Sequence, residues 1–166
     1  LHIMGLLLRP SQGQVFFQGR DVTLITDRHL SRIRNHGIGF VFQSFNLLPS
    51  LNAYENIEVA LVYQRLSYQE RKKRVNEALE SVGMMHRAHH FPRQLSGGEA
   101  QRIAMARALV VRPHLILADE PSGNLDSKTG EEIMKMLMRL NQNGATLILV
   151  THDREIAKHA RRQISI

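Results

Sequence analysis

Short, unbroken apolar runs and longer mixed segments take turns along the second half of this chain. Leu115-Ile116-Leu117-Ala118 and Leu147-Ile148-Leu149-Val150 have strand length, and they set strands at His114–Asp119 and Ala145–Thr151. Ser127–Gln142 between them reads as a helix, and Asp153–Arg161 as another. Strand alternating with helix predicts a parallel sheet with crossover helices. Upstream, Ile38–Phe42 is a further strand, while Gln14–Gln18 is a short strand followed by a turn at Gly19-Arg20-Asp21. From Ala53 to Gly83 the signals are helical. Ser67-Tyr68-Gln69-Glu70 has the form of a capping box, Val75, Leu79 and Val82 share one face, and Gly83 is a natural stop. A polar stretch through Arg93 leads to Ser96-Gly97-Gly98-Glu99 and a small-residue helix ending near Arg112.

Both ends are expected to be internal to a longer chain. Leu1 to Leu8 reads as part of an apolar helix with no capping residue or initiating Met before it. Gln163-Ile164-Ser165-Ile166 alternates as a strand with no terminating turn. The expected organisation is a single partial domain over 1–166. Residues 1–46 and 95–166 form a sheet core with flanking helices, and about 47–94 form a helical subdomain.

Composition narrows the class only a little further. The 166 residues suffice for one domain with a buried core, and 43% hydrophobic against 22% charged residues argues against disorder. No apolar run approaches the roughly 20 residues of a membrane-spanning helix. With no cysteine, a disulfide framework and a thiolate zinc site are both excluded. The net charge of +7 suits phosphate-bearing ligands, nucleic acid or an anionic membrane surface, without choosing among them.

The chemistry concentrates at strand ends. The apolar strand Leu115–Ala118 stops abruptly at Asp119-Glu120, and ligands of parallel sheets sit beyond the carboxyl ends of strands. Asp119 could hold Mg²⁺, directly or through water, and Glu120 could polarise an attacking water. Alone, such a pair is also what any exposed strand end can carry. Two neighbours strengthen the functional reading. Thr151-His152-Asp153 ends the next strand, placing His152 on the same sheet edge as Glu120, and Gln43 follows the strand Gly39–Phe42, where a neutral amide can contact both metal and water. Ser96-Gly97-Gly98-Glu99 has the form of a capping box. Two glycines in a first helical turn cost about 1 kcal/mol each relative to alanine, so the pair points to backbone N–H groups approaching a phosphate.

Other clusters have plainer readings. His86, His89 and His90 have helical spacing that could suit a metal, but they lie in a polar connection and are read as non-ligating. Met134, Met136 and Met138 read as packing, and Arg71-Lys72-Lys73-Arg74 as a solvated helix face near which lipid headgroups could lie.

Gln43, Leu95-Ser96-Gly97-Gly98-Glu99-Ala100-Gln101-Arg102, Leu115–Glu120, Gly123-Asn124-Leu125-Asp126 and His152, in this order, resemble the ATP-binding subunit of ABC transporters. The resemblance covers essentially the whole chain. Phe42–Pro49 with Glu55-Asn56-Ile57, and Ala118–Asp126, look like the macrolide-exporter and lipoprotein-release type. It implies an α/β fold with a P-loop-NTPase-like parallel sheet core and a helical subdomain. It makes Gln43 the Q-loop glutamine, Leu95–Glu99 the signature, Asp119 the Walker B acid, Glu120 the catalytic base and His152 the switch histidine, with Asp126 in the D-loop. ATP and Mg²⁺ are the implied cofactors, with Gln43 and Asp119 toward the metal and Ser96, Gly97, Gly98, Glu99 and Asp126 toward nucleotide. The implied partners are a membrane permease subunit and a second copy, head to tail, with no nucleic acid and no metal beyond Mg²⁺. The implied place is the cytoplasmic face of the cell membrane. A soluble ABC ATPase acting on nucleic acid or in translation is the alternative.

Two departures stand out. Glu99 occupies a signature position where Gln is the commoner choice. No G-x-x-x-x-G-K-[ST] loop occurs, since the only Lys before Ser or Thr, Lys128-Thr129, follows Ser127. Truncation just before Leu1 is the expected reason, and the chain by itself is expected to be inactive.

Overall fold

A computed structural model describes residues 1–165. Three parallel strands, β3 (Ile38–Phe42), β4 (Leu115–Asp119) and β5 (Thr146–Val150), form a sheet in the order β3-β4-β5. The centre of β4 is buried on both faces, which explains its continuous apolar run. The expected helices between the strands are present as α4 (Gly97–Leu109) and α5 (Ser127–Gln142). Helix α4 lies deepest, with Ala100, Ile103, Ala104, Met105, Ala106 and Ala108 all buried. Its small residues let the sheet come close. At Gly39 on β3 a Cβ would stand 2.8 Å from the Ala108 carbonyl oxygen, so the contact requires glycine.

The segment from Ala53 to Gly83 is helical but not continuous. Helix α2 (Ala53–Glu58) runs into a 3₁₀ turn at Val59–Leu61, and α3 (Tyr68–Ser81) starts afresh. A full capping box opens α2, where Asn52 N–H donates to Glu55 Oε2 at 2.8 Å and Glu55 N–H to Asn52 Oδ1 at 2.9 Å. At Ser67 only half the expected box forms. Ser67 Oγ accepts from Glu70 N–H at 3.2 Å, while the Glu70 carboxylate takes Arg74 Nε at 2.8 Å instead. Val75, Leu79 and Val82 are buried together, and Gly83 (φ +70°) closes the helix. These helices share one hydrophobic cluster with the sheet, running from Ile57, Leu61 and Leu79 through Ile103 to Ile116 and Ile133.

Several expectations need correction. Leu1–Leu8 is a set of turns rather than a regular helix. Leu6 adopts φ 58°, which breaks the helical path while its side chain enters a small cluster with Val22, Leu30, Ile38 and Leu117. The first chain reversal falls at Gln18–Gly19, both at positive φ, between β1 (Phe16–Phe17) and β2 (Arg20–Asp21), so Arg20 and Asp21 belong to the return strand. Helix α1 (Asp27–Gly37) has no counterpart in the sequence reading. Leu30 is its only buried side chain, and Thr26 at its N-cap makes no side-chain bond, so both usual signals are weak. The helix expected over Asp153–Arg161 is only the short α6 (Arg154–Ala157). Gln163–Ser165 lies in no strand, and Ile166 lies outside the described residues. No helix among the described residues is long and apolar enough to cross a membrane.

Candidate functional site

The register of the sheet builds the site. Phe42 is level with Asp119, and Asp119 with Val150. The next residue on each strand is therefore Gln43, Glu120 or Thr151, side by side on one edge, with His152 one position further. The side chain of Asp119 is half-buried at the same edge.

Glu120 turns the chain sharply. Its φ of 43° is left-handed, an uncommon conformation for a non-glycine residue, and its backbone is fixed on both sides. Its N–H donates to Val150 O at 2.9 Å, and its carbonyl accepts from Gly123 N–H at 3.0 Å. The carboxylate then reaches across to the end of β5. Oε2 accepts from Thr151 Oγ1 at 3.2 Å, and Oε1 from the His152 backbone N–H at 2.6 Å. His152 Nδ1 stands 2.6 Å from the same oxygen, and because an ionised carboxylate only accepts, Nδ1 carries the proton. Nε2 makes no hydrogen bond to another described residue. The Glu120 side chain is 18% exposed and that of His152 85%, so the pair meets solvent through the histidine.

Gln43 is held by Asn124. Its Nε2 donates to Asn124 Oδ1 at 3.1 Å, and Asn124 Nδ2 donates back to the Gln43 carbonyl at 3.1 Å. The amide nitrogen is thus engaged, and the amide oxygen is the atom left for a metal or water. Together with the Asp119 carboxylate it makes an all-oxygen pair of the hard type Mg²⁺ takes, with water filling the other positions. The residues fit that ion. Among the described residues no three His, Cys, Asp or Glu side chains gather as a metal site.

Beyond Gln43 the backbone is bent through two left-handed residues, Phe45 (φ 57°) and Asn46 (φ 50°). Both carbonyls accept from the guanidinium of Arg107 on α4, the Phe45 oxygen at 2.8 Å from Nη2. Burial pulls the Arg107 pKa below its ordinary value, so the two carbonyls are what keeps this cation solvated. The rest of the loop is pinned by fully buried Asn56. Asn56 Oδ1 accepts from Leu48 N–H at 2.7 Å, and Nδ2 donates to the carbonyls of Leu48, Leu51 and Asn52. Of the apolar residues here, Leu48 is 44% exposed, while Phe45, Leu47 and Leu51 are half-buried.

The start of α4 is a separate surface. Ser96 Oγ accepts from Glu99 N–H at 3.3 Å, and Glu99 Oε2 accepts from Ser96 N–H at 2.8 Å, as a capping box requires. Neither the Gly97 nor the Gly98 N–H donates to another described residue, so the turn fits an anion. Gly98 also has a packing reason. A Cβ there would lie 2.5 Å from Thr129 Cγ2 at the start of α5. Asp126 caps α5, accepting from Thr129 N–H at 3.0 Å, and the hydrogen bonds from Thr129 hold its pKa below the ordinary carboxylate value. Gln43, Asp119, Glu120 and His152 thus share one edge. Ser96–Glu99 and Asp126 share a neighbouring face built from the N-termini of α4 and α5.

Asn124, Thr151, Arg107 and Asn56 carry these arrangements without having been singled out as site residues. Asn124, Thr151 and Asn56 do lie inside the motif segments quoted above, whereas nothing local marks Arg107.

Known proteins place the chain in a family. Residues 1–123 match the ABC transporter family. An ABC transporter ATP-binding protein of Thermotoga maritima is 53% identical over 94% of this chain and 67% of its own length. A macrolide export ATP-binding/permease protein MacB of Wolinella succinogenes is 48% identical over the whole chain, which spans only 26% of that relative. Among solved structures, the dimeric ATP-binding cassette MJ0796 in a post-hydrolysis state bound to ADP and Pi superposes with a TM-score of 0.85. It is 45% identical, over 95% of this chain and 70% of that one. The strand-end carboxylates, the glycine turn that opens α4 and these relatives lead to one conclusion: the chain belongs to the ABC transporter family, among its ATP-binding cassettes.

Proposed function

We propose that this chain hydrolyses ATP within a dimer of cassettes and that hydrolysis drives a membrane permease. The observation that carries the reading is the Glu120 carboxylate, fixed by Thr151 and His152 at the edge it shares with Asp119 and Gln43. Glu120 accepts a proton from the attacking water, and His152, protonated on Nδ1, holds the carboxylate in place and presents Nε2 toward the phosphate side. Asp119 and the Gln43 oxygen would hold Mg²⁺, which would supply charge neutralisation to the phosphate groups.

The second face completes the site from another copy. Ser96–Glu99 and Asp126 lie at the N-termini of α4 and α5, apart from the strand ends that carry Glu120 and His152, and each nucleotide lies between the edge of one subunit and the glycine turn of the other, head to tail. The dimeric, ADP-bound state of MJ0796 supports this arrangement. Residues 47–94 form the helical subdomain. The permease docks on the Phe45–Asn52 loop, where Leu48 is exposed, and holds the cassette on the cytoplasmic face of the membrane. Support comes from MacB, whose name joins ATP-binding and permease functions in one protein. The 166 residues contain no G-x-x-x-x-G-K-[ST] loop, so by themselves they bind Mg-ATP weakly and turn it over little.

The test is Glu120→Gln in the full-length protein. The amide keeps the size of the side chain but cannot accept the proton, so hydrolysis falls at least about 10²-fold while ATP still binds. The variant accumulates as an ATP-bound dimer on gel filtration. Turnover near the parent rate would remove Glu120 from this role.

A further inference from the structure

Glu99 divides its two carboxylate oxygens between two different parts of the chain. Oε2 accepts from Ser96 N–H at 2.8 Å, closing the glycine turn. Oε1 accepts from Arg87 Nε at 2.9 Å. Arg87 lies in the 3₁₀ turn Met85–Arg87, outside α4, and its Nη1 stands 3.1 Å from His90 Nε2. A guanidinium only donates, so His90 Nε2 is the acceptor and that ring is neutral. The same short segment is fastened to the start of α2. Ala53 N–H donates to His90 O at 2.8 Å and Tyr54 N–H to Ala88 O at 2.8 Å, which satisfies two otherwise orphaned helix donors.

We infer that Arg87 is a positioning residue for the Ser96–Glu99 turn, fitted specifically to a glutamate at position 99. The inference rests on the proposed contact of that turn with nucleotide. A capping box needs only one acceptor oxygen, which Gln would supply equally well. Glutamine, however, offers an amide NH₂ where Arg87 Nε now finds an acceptor, setting donor against donor. A carboxylate at this position therefore demands a cation across from it, and Arg87 is that cation. Hydrogen bonds on Ser96 hold the Glu99 pKa below its ordinary value, with a smaller contribution from Arg87, so the carboxylate is charged when the pair forms. Through the segment 88–90 the turn is also tied to α2 and hence to the loop pinned by Asn56.

The experiment is a double-mutant cycle in the full-length protein, using Arg87→Gln, Glu99→Gln and the two combined, with Arg87→Lys as the conservative variant. Two readouts are taken: hydrogen exchange at the Ser96 amide without nucleotide, and the steady-state kcat and KM for ATP. Arg87→Gln is expected to speed Ser96 exchange about fivefold and lower kcat/KM about three- to tenfold, with Arg87→Lys recovering part of both. On the Glu99→Gln background the same substitution is expected to change either readout less than about twofold. Equal losses on both backgrounds, or unchanged Ser96 exchange in Arg87→Gln, would overturn the role of Arg87. If the parent itself hydrolyses no ATP, the functional reading fails, and the exchange measurement still decides the positioning role.

Discussion

One oxygen of Glu120 receives both the backbone N–H and the ring Nδ1 of His152, each at 2.6 Å. The pairing spans two strands and uses two groups of one residue, so the carboxylate cannot rotate without leaving both. It also places a proton on Nδ1 and leaves Nε2 outside the pair. In the role proposed for it, Glu120 held in this way would meet a water without further reorganisation.

His152→Ala removes the ring contact but keeps the backbone one. In the full-length protein kcat is expected to fall about 10- to 100-fold, with KM for ATP within about threefold of the parent. A rise in KM with unchanged kcat would instead assign His152 to binding alone.

Asn56 holds the loop after Gln43 through one accepted and three donated hydrogen bonds, all in a fully buried position. Asn56→Leu keeps the volume and leaves Leu48 N–H and several carbonyls without partners. The expected loss is about 2–4 kcal/mol, read from urea unfolding. A change below about 0.5 kcal/mol would mean that the loop satisfies its backbone some other way.

A Cβ at Gly98 would meet the γ-methyl of Thr129, whose β-branched side chain has little freedom to turn away. Gly98→Ala is expected to cost about 1–3 kcal/mol despite the better helix propensity of alanine. Thr129→Ser removes that methyl and should restore most of the loss in the double variant. Calorimetric melting temperatures of the four proteins check this directly.

Leu48 is exposed at the centre of the proposed docking loop. It lies far in sequence from the strand-end carboxylates Asp119 and Glu120. Leu48→Asp is expected to lower co-sedimentation with permease-containing vesicles at least about tenfold, while the fold by circular dichroism is retained. Undiminished binding would move the docking surface elsewhere.

Glu99 is held below its ordinary pKa chiefly by its hydrogen bond with Ser96, Glu70 by its bond with Arg74, and Asp126 by its bonds with Thr129. In each case the unfolded chain binds the proton more readily than the folded one. Their stabilisation is therefore present above the ordinary carboxylate range, near pH 4, and is lost as pH falls through the lower folded values. Asp126→Asn, still a good N-cap without the charge, should flatten that acid limb in urea unfolding measured from pH 6 to 3.

Sequence alone determined what local chemistry can determine. The runs Leu115–Ala118 and Leu147–Val150 have strand length, and the longer mixed segments beside them have helical periodicity, so the alternation of strand and helix was readable. Asp119, Glu120, Gln43 and His152 were legible because each follows an apolar strand, and parallel strands put such residues at one edge. Helix α1 is not legible, since it buries only the side chain of Leu30 and lacks a capping bond, and the apolar pattern of Leu1–Leu8 suggests a helix because no local signal announces the left-handed Leu6.

What the tertiary structure decided was partnership. Nothing in the spacing says that Glu120 turns to His152, that Asn124 holds Gln43, that Arg107 clasps two left-handed carbonyls, or that Arg87 finds Glu99. Gly98 shows the same limit, since its absent side chain makes room for Thr129, a neighbour far along the chain. Propensity and periodicity act between residues a few positions apart, whereas hydrogen-bond partners and steric vacancies arise only once distant segments are packed at contact distance.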